Sequence, residues 1–594
     1  MLDPVAATTV RDAVVAAADA RNLTLVVVEH RLADWVEVCP RAVVLDQAGR
    51  VLADGPTAQV LADPALPEAG IWVPGAPPAS GPCPATDSES QDPAPKIGTH
   101  SRTGGTCGSN AAERADFPDR GAALELSGVR LTAPDGRELA ADLTATAAPG
   151  TFTVVTGPSG AGKSTLLHTI AGFLDPAAGR IGLPGVSGDV ARLNAQQLAR
   201  SVAWLPQQVN LIWARRTVID EVLATSRELF ADDPDSLASA TARAESLLSA
   251  LGLSDRREAD PHQLSGGQQR RLALAAVIAH GPAVVLLDEP TVGQDRHTWA
   301  AIRQVIDQLR DEGCIVLAAT HDEDLITLAD QRWAIGTEHN AAPVTVDHAV
   351  GEVIAPGAPP AARTNPLALL IIALAGVIGS FFVTDWLIGL ITLAVTVLLS
   401  PLAVRRQTLR GTLVRMVPVA LAALTVGWSA LVFSDRGPFG PGTGAAAAKE
   451  VTRILCLVVP GVILVGVLDP SRLGDALAQR ARLPHRPVVA STAALLRLQQ
   501  LLDDWQRIAQ VRRIRGLVRR SLTGRTKHVA SMTFTLLVHV LRQAQVMATA
   551  MDARGFAEAR RRTFALPSPW RGPDWLALGV GALLIAVPLL LSLR

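Results

Sequence analysis

The chain has 594 residues, 55 Lys and Arg against 55 Asp and Glu, and a mean hydropathy of +0.26 with 19% charged residues. That length argues against a single domain, and a hydropathy between soluble and membrane values points to a chain that is partly each. The five cysteines (Cys39, Cys83, Cys107, Cys314, Cys456) lack CxxC spacing and indicate neither a zinc site nor a disulfide framework.

Residues 1–73 alternate helical and strand patterns, with an apolar strand predicted at Leu23–Val28 (LTLVVV) before Glu29 and His30. No charged start followed by an apolar core marks a cleavable signal peptide, so membrane insertion is expected to rely on later segments. Residues 74–119 are rich in Pro, Gly, Ser and acids, too polar for a core, and read as a disordered linker.

Residues 120–339 again alternate short apolar strands with helices, as in an α/β sheet covered on both faces. After the strand Phe152–Val155 comes Gly157-Pro158-Ser159-Gly160-Ala161-Gly162-Lys163-Ser164-Thr165, which matches G-x-x-x-x-G-K-[ST] and opens a helix. Glycines let the backbone N–H groups and the helix N-terminus face phosphate, Lys163 adds charge at the β- and γ-phosphates, and Ser164 suits Mg²⁺. Downstream, Val284–Pro290 (VVLLDEP) puts two carboxylates at a strand end: Asp288 suits Mg²⁺ through water, and Glu289 suits activation of the attacking water.

About twenty residues before that pair, Leu264-Ser265-Gly266-Gly267-Gln268 is the signature of the ATP-binding cassette (ABC) family, which this region resembles. The resemblance implies further roles: Gln207 in Leu205-Pro-Gln looks like the Q-loop glutamine, a catalytic and metal-site residue. Asp295 in Thr291-Val-Gly-Gln-Asp looks like the D-loop aspartate, and His321 in Ala319-Thr-His-Asp like the switch histidine. It also implies ATP and Mg²⁺ as cofactors and a head-to-tail pair of cassettes, in which the phosphate loop of one and the LSGGQ of the other enclose each ATP. One departure stands out: where the family stacks adenine on an aromatic residue, Val129–Gly136 offers only Ala133, in a chain without tyrosine.

The same resemblance recasts residues 1–73. Met1-Leu-Asp3-Pro4 is similar to a D-loop, LTLVVVEH echoes Cys314–His321 with His30 in the switch position, and Val43–Gly55 continues the likeness. These residues read as the C-terminal remnant of a first cassette. Its phosphate loop, signature and acidic pair are expected in the frame upstream of Met1, and Asp3 is a candidate lining residue of a partner's site.

A Pro/Ala-rich linker at 340–364 leads into residues 365–594, where apolar runs of membrane-spanning length occur at Pro366–Val383, Trp386–Val404, Val417–Phe433, Ile454–Leu468 and Trp575–Leu593. With further candidates at Pro487–Leu502 and Val529–Ala550, five or six spans are expected, an all-α polytopic membrane domain. Between Trp505 and Arg562, 13 Lys or Arg face only Asp552 and Glu558, a block that reads as cytoplasmic rather than as a nucleic-acid arm.

Within this block, Ile514-Arg515-Gly516 and Ala553-Arg554-Gly555 resemble the paired Ala-Arg-Gly motifs of the T component of energy-coupling factor (ECF) transporters, with Ile514 departing from the usual Ala. The likeness, which includes Leu468–Leu473 and the Pro484 turn, implies that Arg515 and Arg554 couple to the ATPase. Their expected receivers are Asp220 and Glu221 in the helix past Gln207, with Arg554 expected to matter more than Arg515.

The fold class is therefore an α/β P-loop ATPase domain plus a helical membrane domain, preceded by a partial α/β fragment. The function implied is the energy-coupling module of an ECF importer in the bacterial cytoplasmic membrane, with its ATPase domains in the cytoplasm. The cargo is a vitamin, vitamin precursor or metal ion, and the TVGQD variant with fused domains is similar to systems linked to thiamine precursors. Implied partners are a separate substrate-binding (S-type) membrane protein, membrane lipid, and a second ATPase domain from an upstream first cassette, a second copy or a separate subunit; no nucleic acid is expected. The alternatives are an ABC exporter and a non-transporting scaffold or regulator with a degenerate cassette.

Overall fold

The computed structural model describes residues 4–29, 33, 35–46, 49–73, 121–133, 137–186, 190–336, 359–403, 406–433, 439–518, 522–556, 564 and 567–593. Asp3, His30, the 74–119 linker and most of the 340–364 linker lie outside them. Two compact units emerge, residues 1–344 with 503–548, and residues 345–502 with 549–594.

Among the described residues, ten strands form in the first unit. β1 (Arg41–Leu45) and β2 (Val51–Pro56) make an antiparallel hairpin. β3 (Leu124–Thr132), β4 (Glu138–Ala147) and β6 (Ala178–Gly182) make an antiparallel sheet in the order β4-β3-β6. β5 (Phe152–Thr156), β7 (Val202–Leu205), β8 (Val284–Asp288), β9 (Ile315–Ala319) and β10 (Gln331–Ala334) make a parallel sheet in the order β10-β5-β9-β8-β7.

The two larger sheets differ in side-chain pattern because they differ in cover. β3 alternates, with Leu124, Leu126, Val129 and Leu131 buried, and its phase shifts at Gly128, whose φ of +58° accompanies a break in register. Every residue of β5, β7, β8 and β9 is buried, because helices lie on both faces of the parallel sheet. Leu166, Ile170, Leu272, Ala275, Ile302 and Leu309 supply part of that cover.

The N-terminal segment shows the converse. Leu23–Glu29, expected as a strand, forms none, and Val26 and Val28 are 79% and 94% exposed. Its sequence counterpart β9 is held between β5 and β8; residues 4–29 supply no such neighbours, so β-propensity alone leaves the run unpaired. Residues 41–73 do close a small core, with Val44, Val60 and Leu66 buried among Ala42, Ala53, Ile71 and Val73.

In the second unit, helices Pro366–Ser380, Trp386–Leu399, Arg406–Val432, Thr443–Val465, Pro470–Gln479 and Gly572–Ser592 cover all five expected apolar runs. Two of these, over Gly411–Val432 and Gly572–Ser592, are long and apolar enough to cross a membrane by themselves. Thr443–Val465 and Pro470–Gln479 make a third candidate bent by 103°, and Pro366–Ser380 and Trp386–Leu402 are shorter apolar helices. Small residues bring these helices together: a Cβ at Gly376 would meet Pro460, and one at Gly581 would meet Ala375 and Ile372. Leu413, Val417, Leu421, Leu424 and Trp428 point outward, each 59–65% exposed, as a lipid-facing side requires.

The first and last helices of this unit are locked by one carboxylate. Asp574, 1% exposed, accepts from the backbone N–H of Asn365 at 2.6 Å and of Arg571 at 2.6 Å, while the Asn365 amide donates to Ser568 Oγ at 2.8 Å. Asp574→Ala strands both N–H groups and is expected to destabilise this unit by about 1–3 kcal/mol for each, read as a lower unfolding temperature in detergent micelles. An unchanged temperature would contradict the lock.

The candidate run Val529–Ala550 is corrected by the structure. It belongs to a helix, Leu522–Ala553, whose residues to Ala548 group with the cassette: Met532 is buried beside Leu211 and Ile508, with Trp505, Ala509 and Leu536 around them. Met532 and Leu536 cover protein, Phe534, Leu537, Leu541 and Val546 stay exposed, and the helix is not apolar enough to rank among the candidate membrane spans.

Candidate nucleotide and coupling sites

Four conspicuous segments end on one edge of the parallel sheet. The phosphate loop follows β5, His321 follows β9, Asp288 ends β8, and Gln207 follows β7, and these four strands are neighbours in that order. In register, Ala319 pairs with both Val155 and Asp288, so the strand ends stand level at the carboxyl edge, where open α/β sheets bind ligands.

The loop itself curls through Gly157, Gly160 and Gly162, all at positive φ, the last at +102° as N-cap of the helix Lys163–Ile170. Pro158, Ser159 and Gly160 are exposed, Ala161 and Thr165 half-buried. Lys163 is buried and donates to the carbonyls of Gly157 at 2.7 Å and Pro158 at 3.1 Å, which places its ammonium under the loop. Lys163→Ala is expected to weaken ATP binding at least tenfold, measured by titration of a fluorescent nucleotide, since a buried cation at the phosphates is lost. Unchanged affinity would remove the loop from nucleotide binding.

Ser164 Oγ donates to Asp288 Oδ1 at 3.1 Å, so a hydroxyl and a carboxylate converge, hard oxygen donors that fit Mg²⁺. Burial pushes the Asp288 carboxyl above the usual carboxylate range; burial first and the Asp288 charge second do the same to Glu289. Glu289 adopts φ +47°, rare for a non-glycine residue. Its Oε2 accepts from Thr320 Oγ1 at 3.3 Å and its Oε1 lies 3.9 Å from His321 Nε2.

The segments bearing the other motifs are helix starts. Ser265 caps the helix Gly266–Ile278 in a box with Gln268, with Ser265 and Gly266 exposed and Gly267 and Gln268 half-buried. Asp295 caps Arg296–Asp311 by accepting from Thr298 N at 2.7 Å. Gln207 is exposed, and Ala133 begins the β3–β4 turn.

Two further buried side chains, Arg270 and Asp322, tie the loops of this site together, and no motif announces them. Arg270, 4% exposed, donates to the carbonyls of Pro206 (2.9 Å), Gln207 (2.8 Å), Asp288 (3.0 Å), Glu289 (2.6 Å) and Pro290 (3.1 Å), tying the Q-loop to the acidic pair. Burial pulls its guanidinium down to about 10. It lies just past the quoted signature, yet nothing local announces that it reaches two other loops. Asp322, beside His321, accepts from Thr291 Oγ1 at 2.7 Å and Trp299 Nε1 at 3.0 Å on the same oxygen.

The two Arg-Gly motifs turn out to be matching helix ends. Gly516 (φ +67°) follows His485–Ile514, with Leu517 N bonded to Arg512 O; Gly555 (φ +70°) follows Leu522–Ala553, with Phe556 N bonded to Met551 O. Arg515 is 2% exposed and Glu221 fully buried. The Arg515 Nη1 donates to Glu221 Oε1 at 2.5 Å and to Ile212 O at 3.1 Å, and Nη2 donates to Glu221 O at 2.8 Å. The second oxygen of Glu221 accepts from Ala214 N and Arg215 N, both at 2.7 Å, so the acid is fully partnered.

One expectation changes here. Asp220 is engaged by Arg227 at 2.6 Å on the exposed side, because its position in the helix Val218–Val222 points away from the socket. The two arginines are also seated differently: Arg515 fills the buried Glu221 socket, and Arg554 is exposed in the second unit. Arg512 and Arg513 add flanking contacts, to Thr535 Oγ1 at 2.9 Å and to Gly172 O at 3.3 Å.

Comparison with known proteins agrees with this geometry. The ABC transporter family model matches residues 140–292, and the cobalt transport protein (CbiQ) model matches residues 358–564. A putative ABC transporter ATP-binding protein from Pyrococcus furiosus is 32% identical over 34% of this chain and 75% of its own. The cobalt import ATP-binding protein CbiO of Rhodobacter capsulatus is 34% identical over 38% of this chain and 74% of its own. The putative HMP/thiamine import ATP-binding protein YkoD of Bacillus subtilis is 28% identical over 52% of this chain, which spans 53% of its length.

The chain belongs to the ABC transporter family of ATPases. Its cassette is followed in the same polypeptide by a CbiQ-type domain, an arrangement consistent with an ABC ATPase fused to an ECF T-component-like membrane part.

Proposed function

We propose that this chain is the energy-coupling module of an ECF-type importer. It hydrolyses ATP to drive uptake of a vitamin, vitamin precursor or metal ion through a separate substrate-binding membrane protein. The observation that carries this reading is the seating of Arg515, at the end of a CbiQ-type helix, against Glu221 in the helix that follows the Q-loop. A cassette that reports nucleotide state through Gln207 thereby holds the membrane domain's helix at the adjacent socket.

In this reading ATP phosphates lie in the Gly157–Thr165 loop with Lys163, and Ser164, Asp288 and Gln207 hold Mg²⁺, which neutralises phosphate charge when bound. Glu289 accepts the proton of the attacking water, and His321 and Gln207 orient the γ-phosphate and that water. Ser265, Gly266, Gly267, Gln268 and Asp295 serve the site completed by a second ATPase domain. Arg554, exposed while the Glu221 socket is filled, serves the equivalent socket of that second domain. The cassette then faces the cytoplasm of a bacterium and the CbiQ-type domain crosses its membrane.

Relatives named for cobalt and for HMP/thiamine import support both cargo classes. The test is co-expression with small membrane proteins encoded beside it, followed by uptake of labelled thiamine precursors and of Co²⁺. ATP-dependent accumulation inside cells with one such partner is expected; outward transport, or no transport with any, would overturn the reading.

A further inference from the structure

Residues 67–72, outside every motif discussed above, lie across the start of the D-loop helix. The Arg296 N–H donates to Gly70 O at 3.1 Å and its Nη1 to Pro67 O at 2.9 Å, and His297 Nε2 lies 3.0 Å from Glu68 O. Trp72 Nε1 donates to Gln294 O at 3.0 Å, and its ring meets Trp299 edge to face at 5.8 Å. One short segment therefore grips both sides of Asp295.

Beneath it runs a continuous set of buried contacts. Trp299 (1% exposed) donates to Asp322 Oδ2, which also accepts from Thr291; the Asp322 N–H donates to Thr320 Oγ1 at 3.1 Å, and that hydroxyl donates to Glu289 Oε2. Thr291, Thr320 and Asp322 are all buried, so a shift of Trp299 has no solvent-filled gap in which to dissipate. The chain of contacts ends on the carboxylate that activates water, beside His321.

We propose that Pro67–Trp72 is a positioning strap on the D-loop, in which Trp72, through Trp299 and Asp322, holds Thr320 and Glu289 in the geometry that hydrolysis requires. The proposal rests on the assignment of Glu289 to hydrolysis. Trp72 is a positioning residue, since Trp299, Asp322 and Thr320 stand between it and Glu289.

The test uses the full chain in membranes and reads kcat and KM for ATP. Trp72→Ala is expected to lower kcat about tenfold with KM for ATP within about twofold, since displacing a catalytic group by a fraction of an ångström has effects of that order. Trp72→Phe keeps the ring on Trp299 and is expected to restore much of kcat. Gly70→Ala lifts the strap from its other end, because its φ of +86° disfavours a side chain and its Cβ would run into the His297 ring; it should reproduce the Trp72→Ala loss. Unchanged kcat in Trp72→Ala and Gly70→Ala overturns the strap. So does a fall in kcat matched by a rise in KM and a lower unfolding temperature, the mark of a merely structural contact. Glu289→Gln in parallel separates the two readings: if it still hydrolyses ATP, the assignment beneath the strap has failed, and if it is dead while Trp72→Ala is normal, only the strap has.

Discussion

Glu289→Gln is expected to stop ATP turnover while ATP still binds. The amide keeps the size of the side chain and its place beside Thr320 and His321, and it leaves Ser164, Asp288 and Lys163 untouched. It removes the negative charge, one acceptor oxygen and the capacity to accept a proton, and for loss of a general base about 10²–10⁴-fold in kcat is usual. Phosphate release and nucleotide binding measured on the same preparation separate the two effects. Hydrolysis within threefold of wild type would assign the base elsewhere, and loss of binding would make Glu289 a ligand-holding group instead.

The second large effect is expected at Arg515. Its guanidinium and the Glu221 carboxylate are both out of solvent, so truncating one leaves the other buried and uncompensated, a change that typically costs about 3–5 kcal/mol. An exposed pair such as Arg227–Asp220 is worth about 0–1 kcal/mol, so Asp220→Ala should barely register. The difference in unfolding free energy between these variants, with a double-mutant cycle of Arg515→Ala and Glu221→Gln, checks the account. Additivity at Arg515 and Glu221 would show that the two side chains act independently.

What was legible in the sequence was local. The phosphate loop, the acidic pair and the signature each need particular backbone geometry within a few residues, so glycines, a lysine and a strand end announce them. What was not legible depends on partners distant in sequence. LTLVVV has the composition of β9 and forms no strand, because pairing and not propensity holds β9 in its sheet. Val529–Ala550 has apolar runs, but His539, Arg542, Gln543 and Gln545 keep its helix short of a membrane span, and Met532 lies against Leu211 and Ile508.

The departure at Ile514 likewise takes its meaning from distant partners. In the sequence it marks only a difference from the usual Ala. In the structure Ile514 is 1% exposed and packs with Val511 into the cassette core, so the larger side chain adds burial beside Arg515. Arg270 and Asp322 were in view throughout, within or beside quoted motifs, and only the fold shows that their side chains span from one loop to the next.

The most direct measurement of the central claim compares ATP hydrolysis by wild type and Arg515→Ala in proteoliposomes, each with and without the co-encoded substrate-binding membrane protein and its cargo. Wild type is predicted to be stimulated by that partner and to accumulate cargo. Arg515→Ala is predicted to retain basal hydrolysis, lose the stimulation and accumulate none. Stimulation and accumulation at wild-type levels in Arg515→Ala would contradict the claim that this cassette drives the membrane domain through the Arg515–Glu221 socket.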